Sequence, residues 1–384
     1  FTPATENGYS TYEKYGFKNS GNSYNFNSVL SGMFNAGIQL GKHKIAARNS
    51  YMHMYDNQLT QVTGWVLGVD VQDILNGKYL PQTRESNYPV YQTFIQNKIE
   101  GNHRFENLEI NWFGAYASTS KDTKDATFVT FGRKYVGDDV LLSTDIYNAA
   151  ENFARSNITS SEKDYNAGVN FNYAFEFGES FKNNTKAGYF GTYKKARNQQ
   201  ETALLQVIGQ GTERASIDVP YSQLLDGSYY RWGGFGWTSR KKYGNEYIGD
   251  VKVHSPFLML DNKISQYVRL VWGLRAESYV YTQIASQSIV AGDFGNIQLD
   301  DDVWQYLPSV NLTVSPTNKT NFRLGYNKSV IRPQFAERLL IPYYDPIRNS
   351  LVVNATEGIV STIVENYDFK TEWFPSPGEI ISLG

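Results

Sequence analysis

The sequence predicts an all-β protein, a transmembrane antiparallel β-barrel. Oily and polar side chains alternate with period 2, tight polar corners take turns with much longer connections, and aromatic residues reach 15% although mean hydropathy is only −0.47. The 384 residues are 41% hydrophobic with a formal charge of −2, so bulk charge points to neither nucleic acid nor an acidic partner. The 29 Tyr, 22 Phe and 32 Gly favour strands joined by turns. Cysteine is absent, which excludes disulfide frameworks and thiolate metal sites. The opening FTPATENGYS has no signal-peptide pattern, and no apolar run is long enough for a spanning helix.

Each strand is argued from its own alternation, because a strand sends successive side chains to opposite faces. Leu108, Ile110, Trp112 and Tyr116 oppose Asn107, Glu109 and Asn111, with Phe113 as an exception. Val169, Phe171, Tyr173, Phe175 and Phe177 oppose Gly168, Asn170, Asn172, Ala174 and Glu176. Val268, Leu270, Trp272, Leu274 and Ala276 oppose Tyr267, Arg269, Val271, Gly273 and Arg275; Phe322, Leu324 and Tyr326 oppose Asn321, Arg323 and Gly325. The stretch NYDFKTEWFPSPGEIIS continues the pattern and stops at Pro375–Gly378. Other short corners are read at Gly41–His43, Phe105–Asn107, Phe181–Asn184, Asp261–Lys263 and Ser315–Lys319. Between corners lie long polar connections, Asn57–Pro89, Thr119–Lys163, Arg197–Glu246 and Arg332–Thr362.

Short turns on one rim and long loops on the other, joining strands of about ten residues, is the layout of an outer-membrane barrel. Two strands per corner give roughly twelve strands. In hydrocarbon every backbone polar group needs a partner, so a sheet survives there only when closed. One face meets lipid and the other a wet lumen, which reconciles modest hydropathy with a membrane. Trp373 and Phe374, beside a short turn, fit a lower aromatic girdle.

WQYLPSVNLTVSPTNKTNFRLGYNKSVIRPQFAERLLIPYYDP (Trp304–Pro346) and VENYDFKTEWFPSPGEIISLG (Val364–Gly384) resemble the late-barrel region of TonB-dependent receptors of the Bacteroidota, of the carboxypeptidase-regulatory-like-domain type. The middle segments NKIEGNHRFENLEINWFGAYASTSKD and FNYAFEFGESFKNNTKAGYFGTYKKAR look like its hairpins. After the YYD loop the family's Gly-Asn-Pro-type run is replaced by VVNATEGIVSTIVEN. The resemblance implies about 22 strands around an N-terminal plug in the complete protein. Residues 1–384 then read as the C-terminal barrel portion, with the plug, the regulatory domain and the remaining strands outside it. It also implies residence in the bacterial outer membrane among lipid and lipopolysaccharide. The TonB–ExbB–ExbD complex would drive import of a scarce or bulky ligand such as a siderophore, glycan or peptide. No enzymatic activity, cofactor or nucleic-acid partner is expected. A barrel subunit of a larger outer-membrane assembly acting by partner binding and a secreted soluble β-protein that binds or cleaves glycans are the alternatives, and a surface lipoprotein is a possible partner.

Lumen-facing candidates are Arg269, Arg275, Glu277 and Arg323, whose strands place apolar residues opposite; they pair with lumen carboxylates or the plug, or they meet ligand. Arg332 and Pro333 read as a strand end, since proline cannot donate to the ladder. Asp300–Asp302 and Asp138–Asp139 read as solvated outer loops, because adjacent acids lack the spacing of a Ca²⁺ loop. His43, His53, His103 and His254 read as scattered, with no metal site among them. The stretch WGGFGW (Trp232–Trp237) reads as a loop tip packed on itself, with sugar stacking as its functional alternative. A barrel stays with membranes through salt and carbonate washes and comes off only in detergent; release without detergent would select the soluble glycan-binding alternative.

Overall fold

The structure, a computed structural model, describes residues 20–64, 76, 82–136, 139–143, 153–177, 181–207, 235–239, 246–290, 293–338, 342–345, 350–353 and 359–384. In chain order the strands are β1 (Ser20–Leu40), β2 (His43–Gly64), β3 (Gln82–Phe105), β4 (Leu108–Val136), β5 (Asp139–Ser143), β6 (Phe153–Phe177), β7 (Phe181–Val207), β8 (Phe235–Ser239), β9 (Glu246–Lys263), β10 (Val268–Val290), β11 (Asp293–Thr317), β12 (Thr320–Ile331), β13 (Pro342–Asp345), β14 (Ser350–Val353), β15 (Thr362–Trp373) and β16 (Ile381–Leu383). A single 3₁₀ turn, Phe335–Arg338, follows β12 among the described residues. The sheet is an antiparallel meander in the order β1-β2-β3-β4-β6-β7-β9-β10-β11-β12-β15-β16, with β5 on β4, β8 on β7, and β13-β14 as a separate ribbon.

The register divides the meander into two continuous faces, because directly opposed residues of an antiparallel pair point the same way. One row reads Leu40, His43, His103, Ile110, Phe171, Ala187, Leu258 and Leu274 from β1 to β10. The next reads Ile38, Ile45, Gly101, Trp112, Val169, Tyr189 and Pro256. Farther along, Val310, Tyr326 and Tyr367 lie in register, as do Leu312, Leu324 and Phe369. Exposed large hydrophobic side chains of the long strands fall almost entirely on this face, Val29, Met33, Phe190, Val303 and Ile331 being exceptions. Tyr165 and Phe175 bound the band on β6. Ten residues at about 3.3 Å each, tilted by about 40°, make a height of about 25 Å, that of a membrane barrel's apolar belt.

Side-chain size adjusts the rows. Trp112 lies over Gly101, where a β-carbon would come within 2.4 Å of the indole nitrogen. Phe113, the exception in the alternation of β4, sits on the polar face over Gly168, with Phe190 6.1 Å away and the Lys98 ammonium 5.1 Å from its ring.

Strand length departs from expectation. The long strands run well past ten residues, up to 29 in β4, because polar hairpin arms continue the ladder beyond the apolar band. Much of the expected connections 57–89, 119–163 and 197–246 is therefore paired strand. Register shifts at Asn87/Val90 and Thr123/Ala126 mark the arms of β3 and β4, with Asp125 at φ 56° beside the second. The corners at Gly41, Glu106–Asn107, Asn318–Lys319 and Pro375–Gly378 fall inside the expected windows. Two others lie elsewhere: residues 181–184 belong to β7, and Asp261–Lys263 belong to β9, whose reversal is at Ile264–Tyr267. Asn183 lies opposite Asn262, whose amide bonds to it, and Asn184 lies opposite Asp261, so residues typical of turns end the strands instead.

A charge placed on the apolar face should cost about 2–4 kcal/mol near mid-band. Phe171→Arg should sharply lower the fraction of full-length protein folding into lipid vesicles, whereas Asn170→Arg, one residue along, should not; gel mobility with and without heating reads the difference.

Candidate functional site

The polar face carries carboxylates shared between cations of neighbouring strands. Glu100 sits 2.6 Å from both Arg48 and Lys98. Glu109 receives the Asn102 amide at 2.5 Å and lies 3.5 Å from Arg104. Lys194 reaches Glu162 at 2.7 Å and Asp164 at 3.7 Å. All belong to the face opposite the apolar rows.

The four predicted lumen residues lie on this face too, each with a charged partner. Arg269 donates through Nε and Nη2 to Asp261 at 2.8 and 2.6 Å, the two-pronged geometry that favours arginine over lysine. Arg275 lies 3.1 Å from Glu277, and Arg323 donates to Glu372 at 2.9 Å beside Lys370. The three arginine side chains stay half exposed, at 59%, 50% and 52%. An open cleft of about 500 Å³ runs beside Arg269, lined by Glu176, Asn184, Asp261 and Tyr267 at the short-turn rim.

Glu277 is buried, as Glu372 is, at 4% and 5% exposed. It accepts a bond from Ser255 Oγ at 3.1 Å and is ion-paired to Arg332 as well as Arg275. From the sequence Arg332 marks only a strand end. β12 does stop at Ile331, but the chain then folds back across the polar face. The Arg332 guanidinium lies 4.3 Å from the Tyr279 ring centre and donates to Gln305 at 2.9 Å. Arg338 repeats the arrangement, 4.3 Å from the Tyr281 ring centre and 2.7 Å from Asp301. Burial opposes the charge of Arg338, yet the hydrogen bond and attraction from Asp301 outweigh it and hold its pKa above the ordinary value. Between the two arginines Phe335 is 6% exposed and stacks on Tyr281 at 5.3 Å and Tyr247 at 6.1 Å. Gln283 donates to the Phe335 carbonyl at 3.2 Å. Ala196, Val251, Val253 and Leu299 complete the apolar cluster.

The beginning of the expected outer connection 332–362 is thus pinned onto the polar face by two cation–π contacts and a buried phenyl ring. One signal in the sequence could have revealed it: Tyr279 and Tyr281 continue the parity of Arg275 and Glu277, an aromatic pair on a face otherwise written in charges.

The remaining sequence candidates are placed as follows. Trp373 ends β15 on the apolar face, and Phe374 begins the turn, its N–H donating to Lys319 O at 2.8 Å. Asp300–Asp302 are strand residues of β11 paired with β10, because the ladder extends past the apolar band and Arg338 holds Asp301 in place. Asp138 lies outside the described residues, and Asp139 begins β5. The histidines are less scattered than expected. His43 and His103 are directly opposed with ring centres 5.5 Å apart, and Trp112 donates to His103 at 3.0 Å. His53 bonds Thr93 at 2.9 Å and His254 bonds the Tyr189 hydroxyl at 2.6 Å. Among the described residues no three His, Asp or Glu side chains gather as a metal site. Residues 232–234 lie outside the described residues, while Phe235–Ser239 form β8 paired to β7, with the Arg155 guanidinium 5.8 Å from the Trp237 ring.

An up-and-down antiparallel sheet, greasy on one face and charge-lined on the other, is the architecture from which outer-membrane barrels are made. Solved structures similar to this chain include the siderophore receptor PiuA from Acinetobacter baumannii (12% identity, 92% of this chain and 54% of that one, TM-score 0.44). They also include the closed form of the ferric-catecholate import receptor Fiu from Escherichia coli K12 (11%, 93% and 56%, 0.47). A third is the ferric yersiniabactin uptake receptor FyuA from Yersinia pestis (9%, 93% and 52%, 0.42). The chain spans about half the length of these receptors. No family model and no curated protein sequence matches it.

The docked segment should be held by Phe335 and by the space above Gly249, where a β-carbon would come within 2.2 Å of the ring. Phe335→Ala should weaken docking by about 3 kcal/mol, roughly a hundredfold in the opening equilibrium. Gly249→Val should release the same segment without altering it. Hydrogen exchange of residues 332–338 should rise in both variants while the amides of β9 and β10 stay protected.

Proposed function

We propose that this chain is the barrel-wall portion of a TonB-dependent receptor of the bacterial outer membrane, importing a scarce or bulky ligand with energy from the TonB–ExbB–ExbD complex. The observation that carries the reading is the apolar face: rows in register from β1 to β15, bounded by aromatics, at a height suited to lipid. The resemblance of Trp304–Pro346 and Val364–Gly384 to receptors of the Bacteroidota supports the family. The opposite face then lines the lumen. Its half-exposed Arg269, Arg275 and Arg323 are held upright by carboxylates, leaving N–H groups directed at whatever fills the barrel, plug or ligand.

The ligand class is the open choice among siderophore, glycan and peptide. PiuA, Fiu and FyuA are described as siderophore or ferric-ligand receptors, which places ferric siderophores first for trial.

Deletion of the complete gene should abolish uptake of one labelled class among ferric siderophores, oligosaccharides and peptides. Dissipating the proton gradient in wild-type cells should abolish the same uptake. Uptake unchanged by both would remove the transport reading.

A further inference from the structure

Beyond the apolar band, the hairpin arms carry an open cleft of about 440 Å³, within the size range of small-ligand sites. Asp125 of β4, Arg155 and Asn157 of β6, Glu201 and Ala203 of β7 and Trp237 of β8 line it. Arg155 and Asn157 share the parity of Phe171, and Glu201 and Ala203 that of Tyr189, so these side chains lie on the face of the apolar rows and not in the lumen. Arg155 is ten residues past Tyr165, where the band closes. At about 3.3 Å per residue and a tilt of about 40°, that is about 25 Å up the wall, clear of lipid.

Register builds the cleft. Ala203 is directly opposed to Arg155 on one side and to Ser239 on the other, and Trp237 is two residues along from Ser239. Ala203 is too small to fill the space between them, so the guanidinium and the indole meet across it, 5.8 Å apart. Asp125 fixes Arg155 from the other side, taking Nε at 2.5 Å and Nη2 as well. The N–H of Asp125, beside the register shift of β4, donates to Asn157 Oδ1 at 2.8 Å. With its oxygen taken, Asn157 keeps an NH₂ group that makes no hydrogen bond among the described residues. Glu201, directly opposed to Asn157, adds a second carboxylate.

These groups select a ligand by charge and by bonding. Two carboxylates against one guanidinium give the cleft a net charge of about −1, which repels phosphate and carboxylate groups. A second cation is opposed by the guanidinium already beside the indole. What fits is a neutral molecule with several hydroxyls, which donate to carboxylates and accept from an amide, and with a C–H face for an aromatic ring. We infer that this cleft binds a neutral hexose unit of an oligosaccharide on the outside of the wall. The site is separate from the lumen and its cargo, and its height above lipid rests on the proposed membrane location. Trp237 belongs to the WGGFGW stretch, whose sugar-stacking alternative here acquires carboxylates and an amide within reach.

The test titrates the complete protein, in mild detergent, by calorimetry with hexamers of glucose, mannose and N-acetylglucosamine, and with a hexamer of galacturonic acid for comparison. A neutral hexamer should bind and the acidic one should not. Trp237→Ala should weaken binding roughly tenfold and Asn157→Ala about fivefold, with Trp237→Phe close to wild type. Arg269→Gln, on the lumen side, should bind as wild type does. Gel mobility with and without heating reports whether each variant folds. Binding of none of the neutral hexamers, or equal binding of the acidic one, overturns the site. So does unchanged affinity in Trp237→Ala or, should that variant not fold, in Asn157→Ala. Loss confined to Arg269→Gln puts the sugar in the lumen and overturns it too. Release of the protein from membranes by carbonate overturns the membrane reading and leaves the sugar measurement standing, so the two failures are distinguishable.

Discussion

Register is the constraint on which the rest of this structure depends. A strand repeats every two residues, so a slip of one would turn Phe171 and Leu258 toward the charges and Lys194 and Arg269 toward the oil. The penalty is paid along every ladder from β1 to β15 at once, so the register is kept through the band even where pairing lapses at Pro256 of β9, and the shifts at Asn87/Val90 and Thr123/Ala126 lie in the polar arms. Where the apolar rows end, the environment no longer distinguishes the two faces as strongly, and a bulge becomes tolerable.

The two faces solve opposite problems. The apolar one has too much surface to bury within a single sheet, and lipid removes the need. The polar one brings like charges close together, and it answers by sharing carboxylates: Glu100 between Arg48 and Lys98, Glu372 between Arg323 and Lys370, Glu277 between Arg275 and Arg332. Of these Glu277 and Glu372 are buried. A carboxylate so enclosed is tolerable only with partners on several sides, and removing one leaves an expensive charge behind. The docked segment 332–338 is therefore coupled to the wall through Glu277 and Asp301, and its phenyl ring adds apolar burial to the polar face.

This arrangement also separates candidate ligand contacts from wall contacts. Arg269 lies beside an open cleft at the short-turn rim, whereas Arg332 and Arg338 are turned into the wall by Tyr279 and Tyr281. The three half-exposed arginines are each held by a carboxylate, while the two over tyrosine rings are largely enclosed.

What the sequence determined by itself was the period: alternation in Val169–Phe175, Val268–Ala276 and Phe322–Tyr326 was enough to assign β structure, the two-faced environment and the side on which Arg269, Arg275, Glu277 and Arg323 project, since side-chain direction in a strand is a local property. The hairpin corners at Gly41 and Gly378 were equally legible, because a positive φ asks for glycine. Strand length was not, because the polar arms are held by cross-strand hydrogen bonds that leave no hydrophobic signature. Nor were the meetings of His43 with His103, of Arg155 with Trp237, or of Phe335 with Tyr281 and Gly249. Those depend on how many residues separate each from its turn, and on a chain reversal after Ile331, so only the assembled register brought them together.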